Sequence, residues 1–136
     1  MEKRRESLRR HTLALRGLAL GGALALSGCA TACELPLGKR LESGRLALSY
    51  RTVPVKIAAG QHFEVHFAFC PNTRGPIKVD AHMPEHRHGM NYRPSVAPLA
   101  APGAYRSEGW LFHMPGRWEF VFEVGGERLT DSVRIE

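Results

Sequence analysis

Short segments in which apolar and polar side chains strictly alternate restrict the fold of this chain more than any other feature. In residues 61–69, four apolar side chains fall on one side of an extended chain, and two histidines and a glutamate fall on the other. Residues 117–124 repeat the pattern, and Gly125-Gly126 behind them is typical of a tight hairpin turn. No helical period of useful length appears beyond residue 28, so we predict an all-β fold.

Four more segments have strand patterns, and a fifth is predicted to be irregular. The strand patterns cover residues 46–53 with a short extended continuation at 54–57, 77–83, 105–114 and 127–135. Residues 85–103 are rich in proline, glycine, histidine and arginine, which predicts a long functional or covering loop. Six or seven short strands of this kind are typical of an immunoglobulin-like antiparallel β-sandwich, which we predict for residues 45–136.

Residues 1–28 have the layout of a bacterial export signal. A basic start leads into an apolar segment at 17–26, which is too short for a membrane span of roughly twenty residues. We therefore expect a helical signal peptide that is removed. The signal peptide holds six of the 19 basic and two of the 13 acidic residues. The rest of the chain therefore has 13 basic and 11 acidic residues. No basic run with interleaved aromatics remains, and nucleic acid is not an expected partner.

The sequence Leu26-Ser27-Gly28-Cys29 resembles the lipobox of bacterial lipoproteins. The resemblance implies that Cys29 is acylated, becomes the mature N-terminus and anchors the protein to a membrane, with residues 29–44 as a tether. We expect the protein in the cell envelope, facing the periplasm or the exterior; Ala30 favours the outer membrane where two membranes exist. The alternatives are an ordinary cleaved signal with an incidental cysteine and an uncleaved amphipathic start.

With Cys29 assigned to lipid, Cys33 and Cys70 form the only possible intramolecular pair. Disulfides persist in oxidising compartments, so we expect a bridge that stabilises the fold by roughly 3–4 kcal/mol. Free thiols or soft metal ligands are the alternative. A blue-copper site is not predicted, because neither histidine nor methionine follows Cys70 within the next few residues.

Histidine and methionine are concentrated in residues 82–90 and 113–115. These segments hold all three methionines beyond residue 28 and four of the six histidines there. Imidazole and thioether ligands together suit copper, and thioethers favour Cu(I). Both segments contain His-Met-Pro at the end of a predicted strand, and the two ends could meet at one pole of the sandwich. The candidate metal ligands are His82, Met83, His86, His88, Met90, His113 and Met114.

Other interpretations of these residues remain open. Only one residue of each His-Met pair is expected to reach a metal ion, because neighbours on a strand point to opposite faces. Met83 and Met114 could instead fill the core, and the loop histidines could be solvated or could hold the loop by hydrogen bonds. His62 and His66 lie on the polar face of a strand, where we predict solvated side chains.

Residues 79–90, with His88-Gly89-Met90, and residues 105–119, with the turn Met114-Pro115-Gly116-Arg117-Trp118, resemble the YtkA-like domain and the related FixH-like proteins. The resemblance covers roughly residues 45–136. It implies a small extracytoplasmic β-sandwich linked to metal handling or to maturation of respiratory complexes. FixH-like proteins usually have a membrane-spanning N-terminus where this chain has a lipobox, so their membrane role is not carried over.

Three functions are compatible with these features. The leading hypothesis is a non-catalytic lipoprotein that binds copper for buffering or delivery. The second is an interaction module that docks on an envelope or respiratory protein without metal. An enzyme using Asp80, Glu85 and the histidines at a metal is the weakest, because it leaves the methionines unexplained and no nucleophile motif is present. We therefore expect no enzymatic activity.

Overall fold

The computed structural model describes residues 35–36, 38–72 and 75–136; the predicted signal peptide, Cys29 and Cys33 lie outside them. Within these ranges nine strands form two antiparallel sheets, and no helix occurs, so none could span a membrane. The predicted all-β sandwich is confirmed, with more strands than expected. The strands are β1 (Lys39–Ser43), β2 (Leu46–Val53), β3 (His62–Cys70), β4 (Ile77–Met83), β5 (His88–Gly89), β6 (Ser95–Pro98), β7 (Ala104–Leu111), β8 (Gly116–Val124) and β9 (Glu127–Ile135).

The order of the strands is that of an immunoglobulin domain. The first sheet has the order β1-β2-β3-β7-β6 and the second β5-β4-β8-β9. The chain crosses between the sheets after β3, β5 and β7, and every other connection joins neighbours in one sheet. Thus β2, β3, β7 and β6 correspond to strands A, B, E and D, and β4, β8 and β9 to C, F and G. β5 is an added strand beside β4, and β1 an added edge strand beside β2.

Three short segments differ from the sequence prediction. The sequence predicts Lys39–Ser43 to be part of the tether, whereas it forms β1. It predicts a loop for residues 88–89 and 95–98, which form β5 and β6. All three are edge strands with few buried positions, so alternation could not reveal them. Conversely, residues 54–57, predicted to be extended, lie outside the strands, with a bend at 54–56, and β7 ends at Leu111 rather than at residue 114.

Aromatic side chains fill the space between the two sheets. Phe63, Phe67, Phe120 and Phe122 are buried at the inward positions that the alternation predicts. Their rings meet in tilted and edge-to-face contacts, with centroids 5.5 Å apart for Phe67 and Phe122. Each such pair contributes about 0.5–1.5 kcal/mol beyond the burial of its area. The packed aromatic core fixes the two sheets face to face.

A β-bulge in β7 breaks the alternation that the sequence suggests. The register between β3 and β7 shifts here, and Gly109 has φ +88°, which allows the bulge. As a result, Ser107 and Trp110 are both fully buried although they are three residues apart. Trp110 Nε1 donates to Ser107 Oγ at 2.8 Å, and Ser107 Oγ donates to the carbonyl oxygen of Ser95 at 2.7 Å. The network satisfies the polar atoms at this buried position.

Asp131 closes one open side of the sandwich. It lies opposite Phe120 in the ladder between β8 and β9, and it therefore faces inward. Its carboxylate accepts a hydrogen bond from the hydroxyl of Tyr50 and forms an ion pair with Lys39 Nζ at 2.6 Å. Burial raises the pKa of Tyr50, and the hydrogen bond and charge of Asp131 raise it further. β1 and β2 are thereby joined to β9.

Gly116 begins β8 with a backbone conformation that favours glycine. Its φ is +132°, and a Cβ there would approach the buried Met83 Cε to 2.5 Å. We expect Gly116→Ala to lower the free energy of unfolding by about 2–3 kcal/mol through backbone strain and overpacking. Gly125→Ala is the control, since a Cβ there meets nothing within 4 Å, and its φ of +57° should cost only about 1 kcal/mol. Equal losses in urea denaturation would contradict the expectation that the φ and the neighbour of Gly116 make alanine costlier there than at Gly125.

Candidate metal centre

Both His-Met-Pro segments lie at the same end of the sandwich, which we call the upper pole. It contains the end of β4 at Met83, the start of β5 at His88 and the start of β8 at Gly116. The opposite end, the lower pole, contains the end of β3 at Cys70 and the hairpin turn at Gly125. The expectation that the two segments meet at one pole is confirmed.

Three imidazole rings lie in a row at the upper pole. The ring of His88 has its centroid 5.8 Å from that of His86 and 5.2 Å from that of His113. A metal–nitrogen bond is about 2 Å long, so two rings that share an ion have centroids at most about 6 Å apart. Both distances fall within that limit. The row is assembled from the turn between β4 and β5, the first residue of β5 and the turn between β7 and β8.

His88 is the central ring, and one of its nitrogens is unusual. It pairs with Met83 in the ladder between β4 and β5, so its side chain is on the inward face. Its Nε2 is buried and has no hydrogen-bond partner. Among the described residues, it is the only buried side-chain nitrogen or oxygen without one. Leaving such an atom unsatisfied costs about 1–3 kcal/mol. A bound ion at this nitrogen would remove that cost.

Trp118 forms a fully buried wall beside two of these histidines. Its ring is 6.1 Å from that of His88 and 5.3 Å from that of His113, in edge-to-face contacts. Phe112 stacks on it at 4.4 Å, and its Nε1 donates to the carbonyl oxygen of Met114 at 3.0 Å. The alternation of β8 predicts only a core position for Trp118. Its closeness in sequence to His113 and its place in the turn from Met114 to Trp118 are the sequence signals for a further role.

The three methionines have different environments. Met83 is fully buried and fills the core, as one of the alternative interpretations predicted. Met90 and Met114 are partly buried and pack against the core at the upper pole. The backbone N–H of Met90 donates to the carbonyl oxygen of Ala81 at 3.3 Å, which continues the pairing of β5 with β4 by one residue. In sequence, Met90 follows His88 by two residues and Met114 follows His113 directly, so both methionines belong to the segments that carry the row of histidines.

His82 lies on the other face of the second sheet. Its Nε2 is 3.4 Å from Glu119 Oε1, and it lines a groove of about 500 Å³ together with Asp80. Because His82 and Met83 alternate along β4, one faces outward and the other enters the core. The structure therefore does not bring His82 to the row of histidines.

Donor chemistry limits what this pole could hold. Within the described ranges, no three His, Cys, Asp or Glu side chains form a group that could bind a metal ion. A centre here would have to combine imidazole with the thioether of Met90 or Met114. That combination fits copper, whereas zinc hydrolases use nitrogen and oxygen ligands.

The other histidines and the cysteines named from the sequence lie away from the row of histidines or outside the described residues. His62 is exposed, as predicted, whereas His66 is half-buried and its Nε2 lies 2.9 Å from Glu64 Oε2. Cys70 is disulfide-bonded. Its pairing with Cys33 and the acylation of Cys29 stay predictions, because both of those cysteines lie outside the described residues.

Comparison with known proteins gave no match: no family model, no curated protein and no solved structure matches this chain. The resemblance to YtkA-like and FixH-like proteins therefore stays a prediction. Functional inference has to proceed from the geometry of the upper pole and from the residues of the chain itself.

Proposed function

We propose that this chain is an envelope-anchored lipoprotein that binds copper at its upper pole, for buffering or delivery, and catalyses no reaction. The observation that carries the proposal is the buried, unpaired Nε2 of His88, whose ring is a neighbour of both the His86 and the His113 rings. A metal ion is the partner that suits such a nitrogen in its neutral form. The methionines nearby make copper the best match among the common metals.

The proposed ligand set has His88 at its centre. One of its two neighbouring rings, His113 or His86, shares the ion with it, and Met90 or Met114 adds a soft sulfur ligand that favours Cu(I). His82 and Met83 are left out of this set, since one faces the opposite side of the sheet and the other fills the core.

A titration in competition with a chromophoric Cu(I) chelator tests the proposal. We expect the wild-type protein to bind one equivalent and a variant with His86, His88 and Met90 all replaced by alanine to bind more than about 100-fold more weakly. Even outer-sphere changes at metal sites cost 10–100-fold. The matched control replaces His62 and His66, which lie outside the row of histidines, and should bind like wild type.

Equal affinities for all three proteins would overturn the copper proposal. The same titration with Cu(II) shows which oxidation state is preferred. If the wild-type protein binds neither Cu(I) nor Cu(II) more tightly than the triple variant does, the hypothesis of a metal-independent docking module leads. Its test is whether the metal-free domain captures an envelope protein.

A further inference from the structure

The first sheet has an unpaired edge near the upper pole. β1 begins at Lys39, whose partner in β2 is Tyr50, and it pairs only with the part of β2 that precedes Tyr50 and with Tyr50 itself. β2 continues to Val53 and pairs there with β3 alone among the described strands. On the side away from β3, residues 51–53 therefore present backbone N–H and C=O groups to which no described strand is paired.

The second sheet has a similar edge at the same end of the sandwich. β9 pairs with β8 as far as Ile135, and no described strand pairs with its other side. The side chains of β1 reach the lower part of β9, where Lys39 forms its ion pair with Asp131. Beyond Asp131, residues 132–135 of β9 and residues 51–53 of β2 border the upper part of this open side of the sandwich.

A cleft of about 690 Å³ lies between these two edges, and we call it the edge cleft. Its inner lining is largely apolar, because Phe120 and Ile135 are buried there and Val133 is half-buried. Thr52 also faces inward, since it lies opposite the buried Val65. An extended chain rises about 3.3 Å per residue, so the cleft matches an added strand of about four residues.

The rim of the edge cleft carries an excess of positive charge. Among the described residues that line the cleft, the acidic side chains are Asp131, which is paired with Lys39, and Glu136. Three exposed basic side chains also line it, and each forms no ion pair with a described residue: Arg51, Lys56 and Arg134. The edge cleft therefore attracts a negatively charged partner.

We propose that the edge cleft binds an extended, acidic segment of a partner protein as an added β-strand beside residues 51–53. Hydrogen bonds from the main chain to a sheet edge supply affinity in this mode of recognition, and alternate side chains supply specificity. An antiparallel strand, the arrangement that β1 has with β2, places every second side chain between the sheets, towards Val133. The others lie on the outer face near Arg51, so the segment that fits alternates apolar and acidic residues.

The position of the edge cleft indicates what the partner exchanges. Ile135 pairs with Gly116, three residues after His113. In the loop that follows β2, the backbone N–H of Gly60 donates to the carbonyl oxygen of Phe112 at 2.8 Å. The cleft thus lies beside the segment that carries His113. A protein docked there is placed to receive or supply the copper ion, a role that rests on the proposed function and favours delivery over buffering.

NMR titration of the full chain in detergent micelles, with a copper chelator present, tests the docking of a strand. The probe is the hexapeptide Glu-Val-Glu-Val-Glu-Val with both ends capped. We expect it to shift the amide signals of Thr52, Val133 and Ile135 to saturation. A counterpart methylated at every backbone nitrogen and a counterpart with lysine in place of glutamate should bind more than about 10-fold more weakly, through lost hydrogen bonds and like charge respectively.

Three results of this titration would overturn the proposal. The first is that the hexapeptide leaves these signals unchanged. The second is equal binding of the methylated counterpart, which would make the cleft a site for amphiphiles rather than for a strand. The third is a shift of the same signals when the concentration of the protein alone is raised, which would assign the cleft to a second copy of this chain.

Reversal of one charge at the rim tests the preference for an acidic segment. We expect Arg51→Glu to weaken binding of the glutamate peptide about 10-fold and to strengthen binding of the lysine peptide. Arg45→Glu is the matched control, because Arg45 is exposed in the turn before β2, at the lower pole, and should change neither affinity. Equal effects of the two substitutions would show that only the net charge of the protein matters and would contradict the proposal.

A nitroxide on the first residue of the glutamate peptide tests the placement beside the copper site. An antiparallel strand beside β2 begins at the upper pole, so the amide signal of His113 should broaden several-fold more than that of Gly125. Stronger broadening at Gly125 would overturn the exchange role. Because all peptide measurements are made without copper, failure of copper binding would leave docking intact, and failure of docking would leave the copper proposal intact.

Discussion

Replacing His88 by leucine is expected to abolish tight copper binding and also to make the metal-free protein more stable. The buried Nε2 of His88 has no hydrogen-bond partner, which costs about 1–3 kcal/mol in the folded state. Leucine has no polar atom and fills a similar volume between Met83 and Trp118. We expect the free energy of unfolding to rise by about 1 kcal/mol, and the affinity for Cu(I) to fall more than about 100-fold.

Two measurements on one variant test this expectation. Urea denaturation in the presence of a chelator gives the stability of the metal-free protein, and competition with a chromophoric chelator gives the affinity. His62→Leu is the control, because His62 is exposed, and it should change neither quantity by much. A large loss of stability in His88→Leu would instead support the interpretation in which His88 holds the loop in place.

The opposite signs of the two effects matter for the assignment of function. A residue kept for packing or for loop structure destabilises the protein when it is replaced. A residue kept for a ligand can destabilise the ligand-free protein, and binding then returns the stability through mass action. His88 is half-buried and has an unpaired nitrogen, which is what we expect of a residue kept for a ligand.

Much of the fold follows from local sequence. The alternation in residues 61–69 predicts which side chains of β3 are buried, and Gly125-Gly126, with φ of +57° and +86°, forms the predicted hairpin turn. These features depend on one strand or one turn at a time. The sequence also places both His-Met-Pro segments at strand ends, but their meeting at one pole requires the packing of the two sheets, because β7 and β4 lie in different sheets.

What the sequence could not predict depends on register and on the packing of one sheet against the other. The bulge at Gly109 shifts the inward positions of β7, so simple alternation fails beyond Ser107. The inward position of His88 depends on how β5 pairs with β4, and β5 is too short to have a period. The contact of Trp118 with His113 depends on the turn after β7.

Trp118→Phe is expected to lower the affinity for copper about 10-fold, the lower end of what outer-sphere changes cost at metal sites. The substitution removes the N–H that bonds the carbonyl oxygen of Met114, and it replaces the wall beside His88 and His113 with a smaller ring. We also expect stability to fall by about 1–3 kcal/mol, since the ring is fully buried and loses a hydrogen bond.

Trp110→Phe separates the effect on the site from the effect on the core. Trp110 is equally buried and donates its N–H to Ser107, and none of its ring contacts involves a histidine. It should lose similar stability and keep its affinity for copper. Because the chain has two tryptophans, each variant also leaves a single emitter. Copper should quench Trp118 emission in Trp110→Phe far more than Trp110 emission in Trp118→Phe. Equal quenching in the two variants would place the ion away from His88 and His113.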